Sequence, residues 1–164
     1  MSKMEKIILT DVEPGISSGV EDLAKVVINR LGLAPRKKGS TDKMHKLLVQ
    51  LYERAKNAAQ NKDQRLAVMT VEEMAFYTDI TRQTMYEYLR RWLEISLVVK
   101  TSYIDQEGKS IVGYRLNGNN LEDAFEKTQM KVRNNLEFTH KYVKELQRLI
   151  KNEKIRGKQK EKED

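Results

Sequence analysis

The chain has 164 residues, 39% apolar and 34% charged, with a net charge of +7 and no cysteine. This length holds one compact domain plus an extension, and the apolar share supports a core without packing every segment. Disulfides and thiol chemistry are excluded, His45 and His140 alone give a metal little to bind, and no run near 18 apolar residues offers a membrane span.

Residues 1–18 read as an N-terminal arm, with a short apolar run at Ile7 to Leu9 and turn signals in "DVEPGISSG". The opening "MSKMEKIILTDVEPG" reaches an acidic turn too soon for an export leader, so an intracellular protein is expected. Residues 19–40 read as a short helix followed by a basic linker. Val20, Leu23, Val26, Val27 and Leu31 recur at helical spacing, Gly32 supplies a C-cap, and Arg36, Lys37 and Lys38 stand in a row between Pro35 and Gly39.

Thr41 or Asp42 caps the next helix, whose apolar stripe runs through Met44, Leu47, Leu48, Leu51, Tyr52, Ala55, Ala58 and Ala59. His45 falls near its polar edge and reads as a surface histidine. Leu66 to Met69 fits a brief strand. Thr70 with Glu73 forms a capping box for a short helix carrying Met74, Ala75 and Tyr77. Thr81 then caps a helix to about Ile95, with Met85, Leu89, Trp92 and Leu93 inward and Trp92 as a core anchor. Leu97 to Ile104 and Ile111 to Leu116, joined by a turn around Gly108, form a β-hairpin.

Asn120 opens the last helix, expected over 119–150. Phe125, Thr128, Val132, Leu136, Thr139, Val143, Leu146 and Ile150 keep three- or four-residue spacing, with one 4-4 step after Thr128 that departs from a strict heptad. Thirty residues at ~1.5 Å each span roughly 45 Å, more than a small domain needs to cover itself. The stripe through Phe125, Val132, Leu136, Val143, Leu146 and Ile150 is therefore expected to pair two copies, coiled-coil fashion, as a homodimer; the alternative is that it folds back on its own domain. Residues 151–164, charge-dense with Ile155 as the one large apolar residue, are expected to be a frayed or disordered tail.

Charge is concentrated. Residues 25–65 hold eleven Lys and Arg against three acids, an excess of +8, whereas 1–24 and 66–80 each stand at −3. Such a patch suits a polyanion better than a small molecule, although lysine-rich surfaces also serve solubility.

The order helix, short strand, short helix, turn, helix, strand, turn, strand is the layout of a winged helix-turn-helix. Within it "TRQTMYEYLRRWLEISLVVK", residues 81–100, resembles the recognition-helix-to-wing signature of winged helix-turn-helix transcription regulators of the MarR and ArsR type. Leu89, Arg90, Arg91, Trp92, Leu97 and Val98 stand at the matching positions, and the resemblance covers 41–118. It departs at Ser96, where the family usually has the glycine that ends the helix in a left-handed turn, and at the tip "DQEGK", which is less basic than many wings. The resemblance implies a winged helix-turn-helix domain over 41–118 and transcription regulation; with the long C-terminal helix read from its spacing, the expected fold is mainly α with a small β-hairpin.

The residues point the same way on their own. With Met85, Leu89 and Trp92 inward, Arg82, Gln83, Tyr86, Glu87 and Arg90 project outward. Arg and Gln present paired groups that read guanine and adenine edges, and a carboxylate such as Glu87 accepts from cytosine. Thr81 and Thr84 are placed for phosphate contact at the helix start, and the Tyr86 hydroxyl also reaches that way. Lys100, Lys109 and Arg115 on the hairpin, with Arg36, Lys37, Lys38 and Lys43 upstream, are phosphate candidates. The plainer alternative makes them solvated or edge-protecting charges.

The expected partners are double-stranded DNA and a second copy of the chain, with no membrane, metal or cofactor, and a cytoplasmic, nucleoid-associated location. An assembly adaptor, or a partition, replication or nucleoid factor, would use the same parts. No enzyme is expected: there is no Gly-rich phosphate loop and no nucleophile with a base, and Glu72 and Glu73, being adjacent, point apart on a helix.

Overall fold

A computed structural model describes residue 9 and residues 12–15, 19–33 and 43–163. Arg36, Lys37 and Lys38, the proposed caps Thr41 and Asp42, and most of the N-terminal arm lie outside the described residues. The order is α1 (Val20–Arg30), α2 (Met44–Asn61), a 3-10 turn (Gln64–Ala67), α3 (Val71–Thr78), α4 (Arg82–Glu94), β1 (Val98–Ile104), β2 (Ser110–Leu116) and α5 (Leu121–Glu163). The fold is mainly helical, with one antiparallel hairpin and a long C-terminal helix. The chain divides into two compact units, Met1–Thr128 and Gln129–Asp164.

In the first unit one cluster joins Ile28, Leu31, Leu47, Leu51, Met69, Met74, Met85, Leu89, Trp92, Ile95, Val98, Tyr114 and Leu116. Trp92 is fully enclosed and anchors α4, as its place on the inward stripe requires. Among the described residues its indole nitrogen has no hydrogen-bond partner, and its contribution is packing.

Two clasps set the orientation of α3 and α4. The capping box forms: the Thr70 hydroxyl accepts from the Glu73 amide at 3.2 Å, while the Glu73 carboxylate accepts from the Thr70 amide at 3.3 Å. Arg54 of α2 reaches the other Glu73 oxygen and also donates to the Val68 carbonyl at 3.0 Å. The start of α3 is thereby tied to the long helix beneath it.

At the far end of α4 the Ser96 amide donates to the Leu93 carbonyl at 3.0 Å and the Leu97 amide to the Trp92 carbonyl at 3.1 Å, the bond pair of a Schellman turn. Ser96 takes the left-handed conformation this turn needs, at φ +61. The turn is made despite the missing glycine. Asn117 then holds the junction, donating its side chain to the Ser96 carbonyl and its amide to the Leu97 carbonyl, each at 2.9 Å.

The hairpin pairs Val98 with Leu116 through to Ile104 with Ser110. Met69 bridges the outer edge of β2, exchanging two 2.8 Å bonds with Tyr114. The strand expected at Leu66 to Met69 is thus reduced to one residue. Leu66 and Ala67 belong to the 3-10 turn, because Asp63 caps it through the Arg65 amide and turns the chain before pairing begins.

Other expectations also shift. On α1 the buried residues are Ala24 and Ile28, followed by Leu31 and Leu33, whereas Val20, Leu23 and Val27 are exposed. Apolar residues occupy so much of that helix that spacing alone leaves its rotation open. His45 is buried rather than superficial, with Nε2 at 3.6 Å from the Glu21 carboxylate of α1. The packing of α1 on α2 covers what looked like a polar edge.

The last helix runs to Glu163 instead of ending near 150. Its final turns, "KNEKIRGKQKEKE", are rich in Lys, Glu, Gln and Arg, which lose little side-chain freedom in a helix. Its first two turns belong to the first unit, where Ala124 and Thr128 are buried.

Candidate nucleic-acid interface

Thr81 stands at the N-cap of α4 with extended backbone, and its hydroxyl accepts from the Thr84 amide at 3.2 Å. The two threonine hydroxyls are also bonded to each other at 2.8 Å. From this start the three- and four-residue spacing of Met85, Leu89 and Trp92 turns one face into the core. Arg82, Gln83, Tyr86, Glu87 and Arg90 all come out exposed on the other.

The two adjacent arginines part ways: Arg90 is exposed, whereas half-buried Arg91 donates to the Leu31 carbonyl beyond α1 at 3.3 Å. Arg91 is a structural strap joining α4 to α1. Of the hairpin cations, Lys100 and Lys109 are exposed, and half-buried Arg115 donates to its neighbour's carbonyl at 3.1 Å. Lys43 is partly screened and lies 3.5 Å from Asp79 in the turn between α3 and α4.

Three candidates converge. Arg82, Tyr86 and Lys100 line a cleft of about 150 Å³ between the start of α3, the first turns of α4 and the hairpin, closed by Val71, Glu72, Val112 and Tyr114. The register places Lys100 opposite Tyr114 and thus on the hairpin face that looks into this cleft. Arg82 does not simply project into solvent: its Nη1 lies 3.2 Å from a Glu72 carboxylate oxygen. Its hydrogen bond with Tyr86, and after that the charge of Glu72, hold the guanidinium pKa above its ordinary value. Burial raises the Tyr114 hydroxyl pKa, with Tyr86 adding to the shift.

Glu72 is the residue that sequence reasoning passed over. Adjacency to Glu73 correctly implied that the two carboxylates diverge, but not that one would serve the capping box and the other cross to α4. A second unanticipated feature is Phe76 on α3, 84% exposed and edge-on to Tyr77 with ring centroids 6.1 Å apart.

On the second unit Leu136, Phe138, Tyr142, Val143, Leu146, Leu149 and Ile150 are exposed and Val132 is half-buried. Phe125, in the first unit, is also exposed. Among the described residues no group of three or more side chains is placed to hold a metal ion, and no helix is long and apolar enough to cross a membrane. Compared with protein-family models and with curated proteins, the chain matches neither.

Proposed function

We propose that this chain binds double-stranded DNA as a homodimer, with α4 entering the major groove, and regulates transcription in the manner of winged helix-turn-helix proteins. The observation that carries the reading is the shared exposure of Gln83, Tyr86, Glu87 and Arg90 along one face of α4, beside a hairpin that presents Lys100 and Lys109. A helix so anchored by Trp92, Arg91 and the Ser96 turn is a rigid rod, which groove reading requires. Gln83 and Arg90 supply the side-chain types suited to adenine and guanine edges, and Glu87 disfavours any site without a donor opposite it.

Pairing rests on α5. Val132, Leu136, Thr139, Val143, Leu146 and Ile150 alternate steps of four and three residues, the seam of a two-helix coil, and the chain leaves this seam largely uncovered. A symmetric pair would offer two copies of α4 to a palindromic site.

An assembly adaptor is the second reading, favoured by the exposure of Phe76 beside Tyr77, since an isolated aromatic pair on a short helix suits a protein partner. Roles in partition, replication or nucleoid organisation would share the DNA contact. Titrating labelled duplex across rising salt separates DNA binding from the adaptor role: neutralised phosphates make affinity fall steeply, with a log–log slope of about −0.9 per phosphate. Salt-insensitive or absent duplex binding rejects the proposal. Gln83→Ala should lower discrimination between selected and random duplex by roughly tenfold, the worth of one bidentate contact, and equal losses on both would remove base reading there.

A further inference from the structure

The cleft between α3, α4 and the hairpin holds two cations, Arg82 and Lys100, and one acid, Glu72. Glu73 next door is engaged by Thr70 and Arg54, so its charge is directed elsewhere. Among the described residues Glu72 makes no such contact with the cap or with α2. It stands in the first turn of α3, and its partner is the guanidinium of the residue that opens α4. Both side chains are well exposed, 60% for Glu72 and 63% for Arg82, so the pair is open to exchange with any solvent anion.

Phosphate makes the same charge-assisted bonds to a guanidinium that a carboxylate does. A backbone phosphate entering the cleft would therefore meet Arg82 already occupied and a carboxylate within a few ångströms of its own charge. Lys100 lines the opposite wall and would add the second cation once that carboxylate moves away.

We propose that Glu72 is an affinity-limiting residue of the nucleic-acid interface: its carboxylate occupies Arg82 in the free protein and is displaced by a backbone phosphate when α4 docks. The inference rests on the DNA-binding reading above and adds to it an internal competitor. Because phosphates are common to all sequences, the competition lowers affinity for every duplex alike. It assigns Arg82 to the backbone rather than to a base edge and leaves discrimination to Gln83, Glu87 and Arg90. Its use would be to hold random binding down, so that contacts at base edges decide where the protein stays.

The test uses the full-length chain, as wild type, Glu72→Gln, Arg82→Ala and the double variant, each titrated with random and with selected duplex at several salt concentrations. Glu72→Gln is expected to tighten both duplexes by roughly three- to tenfold at low salt, leaving their ratio unchanged. Arg82→Ala should weaken both and flatten the salt slope by about one phosphate. In the Arg82→Ala background, Glu72→Gln should change affinity by less than about twofold, because the partner it releases is gone.

A gain of equal size in both backgrounds overturns the inference, since it would reflect net charge alone. So does no gain, or a selective loss on the selected duplex, which would make Glu72 a positioning residue for base reading. Wild-type protein without salt-sensitive duplex binding removes the reading and the inference together, whereas salt-sensitive binding indifferent to Glu72 removes the inference only.

Discussion

Helices α2 and α5 carry the same kind of pattern and meet opposite fates. On α2, Met44, Leu47, Leu48, Leu51, Ala55 and Ala58 are buried by the rest of the first unit. On α5 beyond Thr128, Leu136, Val143, Leu146 and Ile150 keep equally regular spacing and remain exposed. Periodicity fixes which residues share a face; whether that face is covered depends on what else the chain can bring to it. On α2 the hairpin, α1 and α3 are at hand. For α5 the proposed cover is a second copy.

The contrast breaks first at the core. Trp92→Ala should lower the stability of the first unit by about 3–5 kcal/mol, the range for removing a buried aromatic side chain. Denaturant unfolding followed by circular dichroism measures this, and a loss below about 1 kcal/mol would mean that the exposed and enclosed faces differ less than their burial implies. On α5, Leu146→Ala should leave unfolding of the first unit unchanged. Instead it should raise the dimer dissociation constant by roughly 10- to 100-fold, the equivalent of about 1.5–3 kcal/mol of lost apolar burial across the pair. Sedimentation over a concentration series reads that shift; a wild-type chain that stays monomeric throughout would show that the stripe has another use.

A truncation within α5 sharpens the same comparison. Since Ala124 and Thr128 are buried, a cut before α5 removes part of the core, and only a cut beyond Thr128 separates pairing from folding. That distinction was hidden in the sequence, where the whole last helix reads as one stripe.

Much of the first unit was legible because its signals are local. Thr70 with Glu73, Thr81 before a polar first turn, and β-branched runs around Gly108 each fix a feature within a few residues. The outward face of α4 followed from Met85, Leu89 and Trp92 by subtraction. What escaped depends on distant packing: the rotation of α1, the burial of His45 beneath it, and the crossing of Glu72 to Arg82, residues ten apart on two helices. Local chemistry could not show that Leu66 and Ala67 would turn before pairing, because a brief apolar run serves a strand and a 3-10 turn equally well.

Within the first unit, the hairpin is held to the segment before α3 through a close approach. A Cβ on Gly113 would lie 2.5 Å from the Met69 carbonyl oxygen and 2.6 Å from a Val68 methyl, so the bridge between Met69 and Tyr114 needs a glycine beside it. Gly113→Ala should cost about 1–3 kcal/mol through forced displacement of that backbone, visible as a lower denaturation midpoint. An unchanged midpoint would show that the bridge yields freely and that the hairpin is less firmly placed than the core beneath it.

The smallest expected effect concerns the join between α4 and β1, and its sign is opposite. Ser96 holds φ +61 with a Cβ that disfavours the left-handed region, while its amide and carbonyl are both engaged, by Leu93 and Asn117. Ser96→Gly relieves that strain and keeps both backbone bonds, but it also frees the unfolded chain, so the two effects partly cancel. A net gain of about 0.5–1 kcal/mol is expected, as a higher denaturation midpoint with an unchanged slope. A loss instead would mean that the serine hydroxyl or its restricted backbone contributes more than the left-handed strain removes, and that glycine is dispensable here because the Asn117 clasp already holds the turn.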